Sequence, residues 1–160
     1  SGRRDCVSRQ TKRCIKFGSF ILHSLYIAVL IYVCFFSEDY GRDVITSYYR
    51  YNLIPFKEIR RFYIYRDVVG IRAFLANLFG NVLAFMPYGF FMPILRPKLR
   101  RMNQMFLAAF LLSLTIEITQ LLTRVGSFDV DDLILNTAGG IAGYLLFYIM
   151  NKIRSKWDGA

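Results

Sequence analysis

A single histidine, three cysteines and one tryptophan in 160 residues exclude several kinds of site at the outset. One His and three Cys do not supply a zinc set at ligand spacing, and Cys6, Cys14 and Cys34 match no disulfide framework. No nucleophile motif is present, and Lys, Arg and His do not cluster in the manner of phosphatase-like sites. Acids are also few, 11 against 21 Lys and Arg, for a formal net charge of +10. A nucleic-acid reader can carry such a surplus, but its apolar residues would fall in core-sized runs. Here 55% of the residues are apolar, and they gather into stretches that lack charge for the width of a bilayer. No nucleic-acid partner is expected.

Residues 17–36 contain no Asp, Glu, Lys or Arg across twenty positions, about 30 Å of helix at about 1.5 Å per residue. Residues 73–95 form a second charge-free run, 105–122 a third with Glu117 as its one charge, and 133–150 a fourth. The pattern predicts an all-α, polytopic membrane protein. Its four-transmembrane-helix bundle forms one domain over 17–150, between basic tails at 1–16 and 151–160. The first run ends in bulky Tyr32 to Phe36 with no small-residue pattern after it, so it reads as an anchor and not as a cleaved signal.

Lys and Arg counts set the orientation. The two tails and the loop between the second and third spans hold thirteen basic groups and two acids, and the opposite side holds eight and nine. The surplus divides into +11 on one side and −1 on the other, which predicts that both termini are cytoplasmic. The external connection, residues 37–72, is too long for an ordinary helix–helix link. Tyr48, Tyr49 and Tyr51 suit a membrane interface, and Pro55 starts or interrupts an element. From 56 to 72, apolar Phe56, Ile59, Phe62 or Tyr63, and later Val69 interleave with Lys57, Glu58, Arg60, Arg61 and Arg66. That spacing predicts an amphipathic surface helix or a shallow re-entrant segment between the first two spans.

Polar residues recur at one depth. In the third span Glu117, Gln120 and Arg124 share a helical face, with Ser113 one turn deeper. A lone carboxylate there costs several kcal/mol, so Glu117 must pair, take a proton or meet water; Arg124 can reach down toward it. Asp129, Asp131 and Asp132 open the fourth span, where one acid suffices as a cap, and Asn136 follows Asp132 by one turn. Asn77 and Asn81 lie near the outer end of the second span. Alternating span directions then predict an outward-facing polar pocket of Asn77, Asn81, Glu117, Gln120, Arg124, Asp129, Asp132 and Asn136. Gly139 and Gly143 make a small-xxx-small face for close helix packing and a candidate homodimer contact, while Pro87 is placed to kink the second span.

NLIPF at 52–56, GNVLAFMPYGFFMP at 80–93 and IEITQLLTRVGSFDVDDLILNTAGGIAGY at 116–144 resemble the VanZ-like family of bacterial membrane proteins, over residues 49–148. The resemblance adds Asn52, Pro55, Phe56, Pro87, Gly89, Phe128 and Gly140 as signature positions beside the polar ones. It implies four helices in the bacterial cytoplasmic membrane, a cell-envelope setting and an association with resistance to the glycopeptide teicoplanin. No settled reaction comes with it.

Two functions fit these residues best, with transport a third class whose path a dimer could complete. In the first, the pocket binds or protects a membrane lipid, a lipid-linked cell-wall precursor or a lipoglycopeptide, with Arg124 on a phosphate or carboxylate and the amides as neutral partners. In the second, an intramembrane hydrolase or transferase acts on a lipid-linked phosphate or sugar. Glu117 and Asp132 are then the acid–base groups and Arg124 stabilises developing charge. Only this second reading calls for a cofactor, Mg²⁺ or Mn²⁺ on Glu117, Asp129 and Asp132.

Overall fold

The computed structural model describes residues 2–36, 49–65 and 71–158. Four long helices carry the chain: α1 (Gly2–Phe36), α3 (Ile71–Leu95), α4 (Met102–Thr123) and α5 (Val130–Asp158), with the short α2 (Lys57–Ile64) between α1 and α3. Each long helix contains a stretch long and apolar enough to cross a membrane: Arg13–Phe36, Leu78–Leu95, Met102–Thr123 and Val130–Ser155. The protein is an all-α, multi-pass membrane protein. The basic residues ahead of 17 and beyond 150 lie on continuations of α1 and α5.

Burial ranks the helices. Half of the α5 span is buried, against 11% of the α1 span, so α5 is the central element. It packs along α3 and α4, while α1 lies against α3. The outer faces stay apolar: Phe20, Leu25, Leu83, Phe106, Leu111 and Ile149 are exposed, as helices facing hydrocarbon require.

The α3–α5 contact is backbone to backbone. A Cβ added to Gly139 would stand 2.2 Å from the Val82 carbonyl oxygen, and one on Gly143 1.9 Å from that of Met86. From the other side, a Cβ on Gly89 would stand 1.8 Å from the Gly140 carbonyl oxygen. Only glycine permits this approach. The small-residue face is therefore spent inside the subunit. A homodimer would have to use another face, because α3 already covers this one. Pro87 and Pro93 both lie inside α3, which runs without interruption from 71 to 95. In the turn before Pro87, the Tyr26 hydroxyl of α1 donates to the Ala84 carbonyl at 2.8 Å.

The bundle interior has two halves. Near the 3₁₀ turn Pro97–Arg100, which joins α3 to α4, the core is apolar: Tyr88, Met105, Ala109, Tyr144 and Phe147. The Tyr144 hydroxyl donates to the Arg100 carbonyl at 2.7 Å and Arg100 Nε to the Pro93 carbonyl at 3.1 Å, closing that end. The other half buries Ser113, Glu117, Gln120, Asn136 and Thr137. One small feature interrupts the helical expectation. β1 (Tyr51–Asn52) pairs in parallel with β2 (Phe128–Asp129), Tyr51 opposite Phe128 and Asn52 opposite Asp129. This ladder lays the segment between α1 and α3 across the α4–α5 turn. The amphipathic helix expected over 56–72 is α2, eight residues long and packed on α3 and α5. Residues 37–48 and 66–70 of the expected external segment lie outside the described residues.

Candidate functional site

The site is built where α4 turns into α5. Helix α4 ends at Arg124, whose φ of 58° is a left-handed C-terminal cap. Four residues later the chain enters β2, then α5. Three acids follow in four positions, and each does something different.

Asp129 caps its own helix. Its Oδ1 accepts from the backbone N–H of Asp131 at 2.9 Å, satisfying a donor that the first turn of α5 leaves open. The same oxygen accepts from Asn52 Nδ2 at 3.1 Å across the β ladder. Burial pushes the Asp129 carboxyl above the usual carboxylate range, opposed by these two hydrogen bonds. Asn52 Oδ1 in turn accepts from the Ile54 N–H at 3.3 Å, shaping the turn that holds Pro55.

Asp131 caps a different helix. Fully buried, its carboxylate accepts from three backbone N–H groups: Phe56, Glu58 at 2.8 Å and Ile59 at 3.2 Å. These are the open donors at the start of α2, whose own cap position, Phe56 at φ 63°, supplies no side-chain hydrogen bond. A carboxylate at a helix N-terminus also meets the positive end of its dipole. Asp131 thus clamps the 51–64 strap onto the bundle. In the sequence it is one of three candidates for a cap of α5 that needs only one; the signal for its role at α2 is that Phe56, at the cap position of α2, carries no polar side chain.

Asp132 faces inward. Its Oδ1 accepts from Asn81 Nδ2 of α3. Both residues line a partly enclosed cavity of about 50 Å³ together with Glu117, Gln120 and Asn136, walled on the α1 side by Leu30, Val33 and Cys34. Glu117 is 2% exposed, and its Oε2 accepts from the Asp129 N–H at 2.9 Å, bracing the α4–α5 turn. Gln120 Nε2 donates to the Cys34 carbonyl at 3.0 Å, one of the acceptors that the end of α1 leaves open. Asn136 Nδ2 donates to Ser113 Oγ at 3.0 Å, while its buried Oδ1 has no hydrogen-bond partner.

Of the eight residues expected to form the pocket, five meet at this cavity: Asn81, Glu117, Gln120, Asp132 and Asn136. Asp129 is turned to the β ladder. Arg124 does not reach down to Glu117; its guanidinium lies 4.7 Å from the centre of the Tyr49 ring, a cation–π contact. Its position at the helix cap, and not on the final turn of α4, sets that direction. Asn77 is on α3, with its side chain outside the described residues. Among the described residues, no group of three or more His, Cys, Asp and Glu side chains is placed to hold a metal ion. Glu117, Asp129 and Asp132 are therefore not gathered as one three-carboxylate set, since Asp129 is turned to the β ladder. The signature residues that were not expected in the pocket divide between strap and packing. Asn52, Pro55, Phe56 and Phe128 form the strap and its ladder, while Pro87, Gly89 and Gly140 lie along α3 and α5.

Residues 23–151 match the VanZ/LLP1 family. The chain is 29% identical over 133 residues to Protein VanZ of Enterococcus faecium, covering 82% of this chain and 74% of that protein. No solved structure matches it. Since the matched residues take in parts of all four long helices, the strap and every residue lining the polar cavity, the chain belongs to the VanZ/LLP1 family.

Proposed function

We propose that this protein is a cell-envelope enzyme of the bacterial cytoplasmic membrane, a hydrolase or transferase acting on a lipid-linked phosphate or sugar, with Glu117 and Asp132 as its acid–base pair. The observation that carries the reading is the partly enclosed cavity, where Glu117 and Asp132 from two helices line one small volume with Asn136, whose buried Oδ1 has no hydrogen-bond partner. About 50 Å³ holds a few waters and not a lipid headgroup. The headgroup would therefore meet the cavity at its outer mouth, with the attacking water inside. Glu117 takes a proton from that water as its oxygen bonds to the phosphorus or the anomeric carbon. A protonated Asp132, oriented by Asn81, returns a proton to the leaving oxygen as its bond breaks. Arg124 stands outside the cavity over Tyr49, close to where a phosphate would arrive.

The test uses purified protein in nanodiscs, with polyprenyl phosphate, polyprenyl diphosphate and glycolipid substrates followed by mass spectrometry. Wild type should release product. Glu117→Gln and Asp132→Asn should each lose about a hundredfold or more of the rate while still retaining substrate. Retention without product in the wild type would sink catalysis.

That last outcome would favour a second reading, in which the same mouth binds and shields a lipid, a lipid-linked precursor or a lipoglycopeptide. The exposed aromatic strap, with Tyr51, Phe56 and Tyr63 at its surface, supports it. Under either reading, expression in a glycopeptide-sensitive host should raise teicoplanin tolerance, and Glu117→Gln should abolish the gain.

A further inference from the structure

At the end of the bundle away from the polar cavity, α1 and α3 flank an open groove of about 600 Å³. Its rim carries three cations, Arg13 and Lys16 from α1 and Arg96 from the end of α3, and among the described residues no acid lines it. Its walls are Phe17, Phe20 and Met92, with His23 on the bundle side. Phe17 and Phe20 are 66% and 58% exposed, so neither ring is consumed by packing within the subunit. The buried Nδ1 of His23 has no hydrogen-bond partner among the described residues.

The order of chemistry along the groove is informative. Arg13 and Lys16 stand where the apolar stretch of α1 begins and Arg96 stands at the end of α3, where the amphipathic stems of Lys and Arg reach headgroups, and the aromatic walls begin one turn deeper. A purely electrostatic membrane anchor needs only the first of these. A groove with a cationic mouth and an apolar floor matches a molecule with an anionic head and a hydrocarbon chain. Its volume is that of a small-molecule site and exceeds the polar cavity more than tenfold.

We propose that this groove is a binding site for an anionic phospholipid, its headgroup phosphate held by Arg13, Lys16 and Arg96 and one acyl chain laid between Phe17, Phe20 and Met92. The site lies in the leaflet opposite the polar cavity, and it stands or falls independently of catalysis there.

The experiment is native mass spectrometry of the full chain in detergent, titrated with phosphatidylglycerol or with phosphatidylcholine of the same acyl composition. Phosphatidylglycerol should bind about tenfold tighter, and soluble glycerol phosphate should not displace it. The variant Arg13→Gln/Lys16→Gln/Arg96→Gln should bring phosphatidylglycerol down to the phosphatidylcholine level. A control with the same charge loss outside the groove, Lys98→Gln/Arg101→Gln/Lys152→Gln, should change binding less than twofold. Equal losses in the two triple variants would overturn the site in favour of a general basic field. Equal binding of both lipids, or displacement by glycerol phosphate, would also overturn it. Should the groove triple fail to fold, Arg96→Gln and Phe20→Ala singly should each weaken binding about threefold, and no change in either overturns the proposal.

Discussion

Asp131 accepts three backbone N–H groups of the strap, whereas Asp132, next in the chain, faces the cavity with Asn81. Adjacent acids at the start of a helix point about 100° apart, so their surroundings diverge although their sequence context is shared. Asp131→Ala should destabilise the protein by about 3 kcal/mol, because three buried donors lose their acceptor together. Thermal unfolding in detergent would measure it, and proteolysis within 51–65 should accelerate in the variant. Asp129 behaves differently under pH. Its folded carboxyl titrates above the unfolded value, so its contribution to stability is complete below about pH 4 and is lost as pH rises through the folded value. Asp129→Asn keeps the Oδ1 acceptor and removes the charge. It should match or exceed wild-type stability at pH 7, with the difference shrinking toward pH 4 in denaturation experiments. Loss of stability at pH 7 would mean that its two hydrogen bonds outweigh desolvation.

Among the elements, α5 holds the structure together, through glycines that no other residue can replace. Gly143→Ala would place a methyl 1.9 Å from the Met86 carbonyl oxygen, which neither backbone can yield cheaply. A loss of about 2 kcal/mol or more is expected on thermal unfolding, and Gly18→Ala, with open space around it, should be neutral within about 0.5 kcal/mol. The spacing of Gly139 and Gly143 was legible as a packing face. Its partner was not, because a stripe of small residues fits a helix of the same chain or of another copy equally well. The strap was half legible. Interleaved charge and aromatic residues marked an amphipathic α2, but the two-residue ladder with Phe128–Asp129 joins positions 77 apart in sequence, and so short a strand carries no periodicity to read.

For the molecule as a whole, the expectation of cytoplasmic termini rests on Lys and Arg placement. In a cysteine-free background, a membrane-impermeant maleimide should label a restored Cys14, which is exposed, only from the cytoplasmic side. Tyr51→Cys should label only from outside. The reverse pattern would move the polar cavity to the cytoplasmic face and the proposed lipid groove to the outer leaflet.

Four membrane spans, their order and the depth at which polar groups recur follow from the sequence alone. Hydrocarbon thickness and the cost of unpaired charge are properties of single segments, readable along one helix. Which carboxylate caps a helix, which braces a turn and which lines the cavity was decided only by tertiary structure. A carboxylate takes whatever donors stand within about 3 Å, and those donors belong to segments far away in the chain. Arg124 shows the same limit. Its helical offset pointed at Glu117, yet the left-handed cap at the end of α4 turned it onto Tyr49.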